Sequence, residues 1–212
     1  MRTGALALAG ALVAGAALAQ QPPAIGRLSY GSTDRPGAPI CTGTLIAPDL
    51  VLTAGHCLPA AAEANPASVR FQPGLGTATP GPVRRGAMVL HPPATGTASD
   101  LALLRLDSPL PPEVPPLPLA PGIQTGPFLF FGYDRAQPGL APAATPCRAL
   151  AMIPPQAPRL IGLDCAVVSG NSGGPLLVPG PDGTWQVAAV MVARAGRPLA
   201  SLAVLPPAGL LP

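Results

Sequence analysis

The chain contains no lysine; all twelve of its basic residues are arginine, and nine acidic residues leave a net charge of +3. The longest basic run is the pair Arg84-Arg85. That is far short of the positive face that a phosphate backbone demands, so no nucleic-acid partner is expected. Histidine is almost as scarce, with only His56 and His91. The four cysteines form no CxxC pair and no His/Cys cluster at metal-ligand spacing, so neither a metal nor another cofactor is expected. After the first twenty positions no stretch approaches the ~20 apolar residues that a helix needs to cross a bilayer. Charged residues are only 10% of the chain against 48% hydrophobic. That balance favours a packed core, although 33 prolines and 25 glycines would otherwise suggest disorder. The prolines read as punctuation between short elements.

What is present begins with a leader. Met1-Arg2 gives a positive start, residues 6–18 are almost purely Ala, Leu, Val and Gly, and Ala17-Leu18-Ala19 supplies small residues for cleavage before Gln20. The apolar run is too short to anchor the protein, so residues 1–19 read as a cleaved signal peptide. The mature protein is then secreted or periplasmic, with no membrane anchor. Residues 20–212 have the length of one domain with a real core. In an exported chain the four cysteines imply two disulfides, with three pairings open.

Along that domain, short β-like runs alternate with turns. Strands are expected over residues 42–46, 50–53, 69–71, 86–90, 101–105, 128–133, 148–153, 176–178, 186–193 and 199–205. Each is bounded by Pro, Gly, Asp or Asn, the pattern of an all-β sandwich or barrel. Only residues 54–64 have the character of a helical turn or two. Residues 109–127 are Pro-rich and cannot donate to a sheet ladder, so they read as an extended connection near the middle of the mature chain.

Three motifs carry chemistry. In Gly170-Asn171-Ser172-Gly173-Gly174-Pro175 a serine sits in a Gly-rich turn. Such a turn exposes the Oγ and lets the backbone N–H groups of Gly170 and Ser172 face one point, as a developing oxyanion requires. A serine hydroxyl needs a neighbouring base to become a nucleophile. Leu52-Thr53-Ala54-Gly55-His56-Cys57 offers one, since histidine titrates near neutral pH. His91, before Pro92 in a loop-like stretch, reads instead as a surface or structural residue. Asp100 opens the apolar run Leu101-Ala102-Leu103-Leu104, where a carboxylate is costly without a partner. An imidazole N–H is a fitting one, because the aspartate would fix its tautomer and stabilise its charged form.

Taken in their order along the chain, His56, Asp100 and then Ser172, the motifs resemble those of the trypsin-like (chymotrypsin-fold) serine peptidases, bacterial secreted type. The resemblance implies two six-stranded antiparallel β-barrels with the active site between them: barrel 1 at about residues 24–108, a linker at about 109–127, barrel 2 at about 128–205. It implies His56, Asp100 and Ser172 as catalytic triad and Gly170 and Ser172 as oxyanion hole. Cys41-Thr42-Gly43-Thr44-Leu45-Ile46 resembles the strand leading to the family's histidine, and Cys41–Cys57 the disulfide bracing it. Cys147–Cys165 is then the second bridge. Phe131-Gly132-Tyr133 resembles the first strand of the second barrel, and residues 185–193 a wall of the substrate cleft. Val192 and Ala193 would bond an extended substrate through their backbones.

The departures bear on function. Ala166 stands at the position resembling the floor of the primary specificity pocket, where cleavage after Arg or Lys needs an acid, so that specificity is not expected. Val168 and Val192 resemble the pocket's walls. Arg194, where many relatives have glycine, would either narrow the pocket or favour an acidic side chain. Asn171 replaces the aspartate that pairs with a new N-terminal amine in the animal zymogens, so activation by N-terminal insertion is not expected; Ile25-Gly26-Arg27-Leu28 reads as a first strand. The expected partners are protein or peptide substrates and a protein inhibitor, with the enzyme a monomer. Two other readings compete. One is a catalytically silent binding protein of the same fold. The other is an esterase, since Gly170–Gly174 formally matches GxSxG.

Overall fold

The computed structural model describes residues 20–30, 38–91, 100–153, 159–207 and 209–210. The expected signal peptide, residues 1–19, lies outside them. The first six strands are β1 (Ile25–Tyr30), β2 (Ile40–Ala47), β3 (Leu50–Thr53), β4 (Val69–Pro73), β5 (Arg84–Leu90) and β6 (Ala102–Leu106). They form a closed barrel in the order β1-β2-β3-β6-β5-β4, sealed where Leu28 of β1 faces Phe71 of β4. β4 shows why such a sequence makes a barrel wall: Val69, Phe71 and Pro73 are buried while Arg70 and Gln72 are partly exposed, the period of two that gives a strand one wet face. β2 is buried along all but its last residue, because the second barrel covers its outer side.

The remaining strands are β7 (Phe128–Phe130), β8 (Thr145–Cys147), β9 (Ala149–Ile153), β10 (Leu160–Leu163), β11 (Pro175–Pro179), β12 (Trp185–Arg194) and β13 (Ser201–Val204). Their order is β8-β7-β11-β12-β13-β10-β9. The two outermost strands are consecutive in the chain and separated only by Arg148. At that break the Arg148 N–H donates to Asp164 Oδ1 and its guanidinium Nε to Oδ2, both at 2.8 Å. The sheet's edges are thus two halves of one interrupted strand, and the seven-stranded sheet is a nearly closed six-stranded barrel. Phe130, Ile161, Leu163, Leu176, Ala189 and Ala203 pack inside it, and each large side chain buried this way contributes roughly 1.5–3 kcal/mol.

The all-β, two-barrel expectation holds, with local differences. The helical turns expected over 54–64 are a 3₁₀ turn, Gly55–Cys57, and the helix α1, Ala60–Ala64. The strand expected over 128–133 ends at Phe130. Phe131 still donates its N–H to Pro175 O of β11 at 3.4 Å, and the chain then leaves the ladder as Tyr133 donates its N–H to Thr42 Oγ1 (2.9 Å) in the first barrel. β10 was not expected from sequence; its four residues follow a Pro-rich segment and are too short to show a period. Residues 109–127 carry no strand. They run along the first barrel, where Leu117 N bonds Leu45 O, and then along β12, where Val187 N bonds Pro118 O.

Candidate active site

Strand register brings the first two chemical residues together. β3 and β6 are antiparallel with Thr53 opposite Ala102, so residues just after Thr53 must lie beside residues just before Ala102. His56, in the turn leaving β3, therefore meets Asp100. The carboxylate grips it twice: Oδ1 accepts the His56 backbone N–H and Oδ2 lies against Nδ1, both at 2.7 Å. The approach requires glycine at position 55, since a Cβ there would stand 2.9 Å from Asp100 Oδ1. On the other side Cys57 is bonded to Cys41 of β2, which pins the turn to the barrel.

This pairing sets the charges. The hydrogen bond to Asp100 holds the His56 pKa above its ordinary value, against the opposing effect of burial and with the help of the carboxylate's charge. Burial pushes Asp100 up, but its bonds from the His56 ring and backbone, the imidazole charge and the Gly55 N–H together bring it below the usual carboxylate value. With Asp100 ionised, the neutral ring carries its proton on Nδ1 and keeps the lone pair on Nε2. Nε2 has no hydrogen-bond partner among the described residues. His91 is engaged elsewhere, with its Nε2 on Glu63 Oε1 at 2.8 Å.

Ser172 lies in the turn that enters β11. Gly170 adopts φ +102, and a Cβ on it would stand 2.6 Å from Tyr133 O, so only glycine fits. The pairing in this loop is selective. The N–H groups of Asn171, Gly173 and Gly174 donate to Val168 O, Met191 O and Asn171 O. Those of Gly170 and Ser172 donate to nothing among the described residues. Neither does Ser172 Oγ, so serine and histidine are not hydrogen-bonded to each other in this state.

Two residues hold the loop. Asn171, 7% exposed, accepts the Val168 N–H at Oδ1 (2.8 Å) and donates from Nδ2 to Tyr133 O (2.9 Å). Thr42 of β2 is fully buried and bonds at four points. Its N–H donates to Ser172 O (2.8 Å) and its hydroxyl donates to Gly170 O (2.9 Å). The hydroxyl also accepts the Tyr133 N–H (2.9 Å), and its carbonyl accepts from Thr53 Oγ1 (2.7 Å). In the sequence Thr42 reads as an ordinary position of the strand expected over 42–46. The available signal is a hydroxyl in a run otherwise destined for the core, where most buried polar groups are paired; Thr44 carries the same signal without a partner among the described residues. Because Thr42 follows Cys41, a short path links Ser172 through Thr42 and the disulfide to His56.

A cavity of ≈ 220 Å³ opens beside Ser172, lined by Val167, Val168, Ser169, Met191, Val192, Ala193 and Arg194. Of the expected pocket residues, Val168, Val192, Ala193 and Arg194 are here. Ala166 is not: Cys165 is buried in its bridge to Cys147, which turns the next side chain to solvent. Ser169, unanticipated, takes a place on the wall. A larger cavity, ≈ 780 Å³ around Pro80, Pro111 and Pro142, contains none of the three chemical residues. Cys41, His56 and Cys57 gather their ligand-type atoms within 4.8 Å, but the two sulfurs are bonded to each other and offer no thiolate.

A serine turn with two unpaired N–H groups, a histidine fixed by an aspartate and two facing barrels agree with the comparison with known families. The profile of the trypsin-like peptidase domain matches residues 41–190, which span β2 to β12, with His56, Asp100 and Ser172 inside the match. The chain belongs to the trypsin-like peptidase domain family, and its function is of the serine-protease type, acting on proteins or peptides.

Proposed function

We propose that this protein is a secreted or periplasmic serine endopeptidase. It cleaves peptide bonds through a covalent acyl-enzyme, with His56, Asp100 and Ser172 as its triad. The observation that carries the reading is the selective pairing around Ser172. Within residues 170–174 the N–H groups of Asn171, Gly173 and Gly174 are bonded and those of Gly170 and Ser172 are not; these two are the donors that a tetrahedral oxyanion needs.

Ser172 Oγ attacks the scissile carbonyl carbon while His56 Nε2 takes its proton. Asp100, held against Nδ1, stabilises the imidazolium that results, and the N–H groups of Gly170 and Ser172 bind the oxyanion. Collapse of the adduct breaks the C–N bond, and the proton on Nε2 goes to the leaving amine. Water then adds to the ester, giving its proton to Nε2. The second adduct releases the acid and restores Ser172. No carboxylate lines the cavity beside Ser172, which supports the expectation that Arg and Lys are not the preferred residues. The Asn171 amide is satisfied within its own barrel, so the reading needs no N-terminal amine for activation and removal of residues 1–19 suffices. The mature enzyme works as a monomer made of barrel 1, the linker and barrel 2 within the bounds given above, and a protein inhibitor would dock at the same cleft.

A fluorophosphonate probe tests this directly. Labelling of the folded wild type, abolished in Ser172→Ala and His56→Ala, is expected, and either change should lower kcat by about 10⁶. Absence of labelling would point to the silent binding protein; labelling with ester but no peptide turnover would point to the esterase.

A further inference from the structure

Beyond Met191 one edge of β12 has no strand partner among the described residues. Its pairing with β11 ends at Val190 opposite Pro175. Met191 then bonds Gly174 O through its N–H and receives the Gly173 N–H, at 2.9 and 2.8 Å. Ala193 and Arg194 keep β13 on the other edge, opposite Leu202 and Ser201. An extended peptide can add along the open edge as another strand, and the side chain preceding its scissile bond then enters the ≈ 220 Å³ cavity beside Ser172.

Val167, Val168, Met191 and Val192 contribute to the cavity's walls, but the surface it presents is more polar than apolar and it ends in a cation. Arg194 Nη2 donates to Ser169 Oγ at 3.0 Å. Among the described residues no carboxylate pairs with Arg194, and no acidic residue lines the cavity. Ser169 Oγ acts as acceptor in this bond, so its own proton remains free to donate. The guanidinium retains N–H groups beyond the one it uses. Two donors, one of them charged, thus converge on a small site with no opposing charge among the described residues. Arg194 and Ser169 are exposed, so the selectivity comes from direct, charge-assisted hydrogen bonds to an anion, which a cation in the same place cannot make.

We propose that Arg194, steadied by Ser169, is the specificity-determining residue of this enzyme, and that it binds the side-chain carboxylate of a glutamate or aspartate immediately before the scissile bond. The inference rests on the serine-peptidase reading above and names its substrate class: peptides cut after acidic residues. Ser169 is a positioning residue here and a second donor to the carboxylate.

The test uses peptides identical except for Glu, Gln, Asp, Asn, Ala or Arg before the cleaved bond, with kcat/KM measured for each on the mature protein. Wild type is expected to prefer Glu over Gln, and Asp over Asn, by roughly ten- to a hundredfold, about 1.4–2.8 kcal/mol at ~1.4 kcal/mol per decade. In Arg194→Ala the ratio should collapse toward unity, in Arg194→Glu Arg should overtake Glu, and in Ser169→Ala the ratio should shrink without vanishing. Each ratio is taken within one enzyme, so a general loss of turnover cancels; circular dichroism checks that each variant is folded. Equal cleavage after Glu and Gln by wild type overturns the proposal, because an arginine that only narrows the cavity cannot tell an acid from its amide. A ratio that survives Arg194→Ala overturns it too. Ser172 labelling by a fluorophosphonate separates the two levels of argument. A protein that labels but ignores charge keeps the peptidase reading and loses this one, whereas one that neither labels nor cleaves any peptide loses both.

Discussion

Two threonines on β2 give a matched pair for testing how the nucleophile loop is held. Thr42 and Thr44 are both buried, at 0% and 1% exposure, and Thr→Val preserves shape while removing only the hydroxyl. Their hydroxyls are in opposite situations. That of Thr42 donates to Gly170 O and accepts from Tyr133 N, each at 2.9 Å. That of Thr44 is buried with no partner among the described residues. Thr42→Val therefore orphans one buried carbonyl and one buried N–H. At about 1–3 kcal/mol for each unsatisfied group the loss is roughly 2–6 kcal/mol. Thr44→Val removes a hydroxyl that already lacks a partner, and should be neutral or stabilising by about 1 kcal/mol. Urea denaturation in a Ser172→Ala background, which prevents self-digestion, reads both changes from the transition midpoint. In a domain of this size each kcal/mol also moves Tm by roughly 2–4 °C. In the active background Thr42→Val should lower kcat more than it raises KM, because releasing Gly170 O frees its peptide to turn and take an oxyanion donor out of line. Equal midpoint shifts for the two variants, or a stable and fully active Thr42→Val, would refute the assignment of Thr42 as the tie between barrel and loop.

Three further outcomes follow from the same geometry. Because His56 must be neutral to act as base and Asp100 holds its pKa above the ordinary value of 6.5, kcat/KM should rise with pH along a limb centred above that value. Asp100→Asn removes the bond and the charge that raise it and leaves burial, which lowers it, so the limb should move down while turnover falls by about 10⁴; a limb that stays in place in the pH–rate profile would contradict the pairing. The stability linked to the pair has the matching signs: the His56 part is full below its unfolded pKa and fades as pH rises through the raised one, while the Asp100 part is lost as pH falls through its lowered pKa. Cys41→Ala/Cys57→Ala, opening a bridge of sequence separation 16, should cost about 3 kcal/mol in denaturant titration. A larger fall in turnover is expected than for Cys147→Ala/Cys165→Ala, since only the first bridge abuts His56.

Some of this was legible in the residues alone. A serine among glycines, a histidine ending an apolar strand and an aspartate opening another are local patterns, and local patterns determine turn chemistry and strand period. They suffice for an all-β chain, for a preference for His56 over His91 as the base and for the expectation that Asp100 needs a partner such as an imidazole. What decides the rest is distance across the chain. Which cysteines pair, how Thr42 comes to bond a carbonyl in a loop 128 residues away and why the break at Arg148 lets seven strands nearly close a barrel all depend on barrel closure and on the packing of one barrel against the other. Ala166 makes the same point in reverse. The family resemblance implies that it is a pocket floor, but the buried bridge at Cys165 turns it outward and leaves Ser169 and Arg194 at the cavity. A sequence records which side chains are available; only the folded backbone determines which of them face each other.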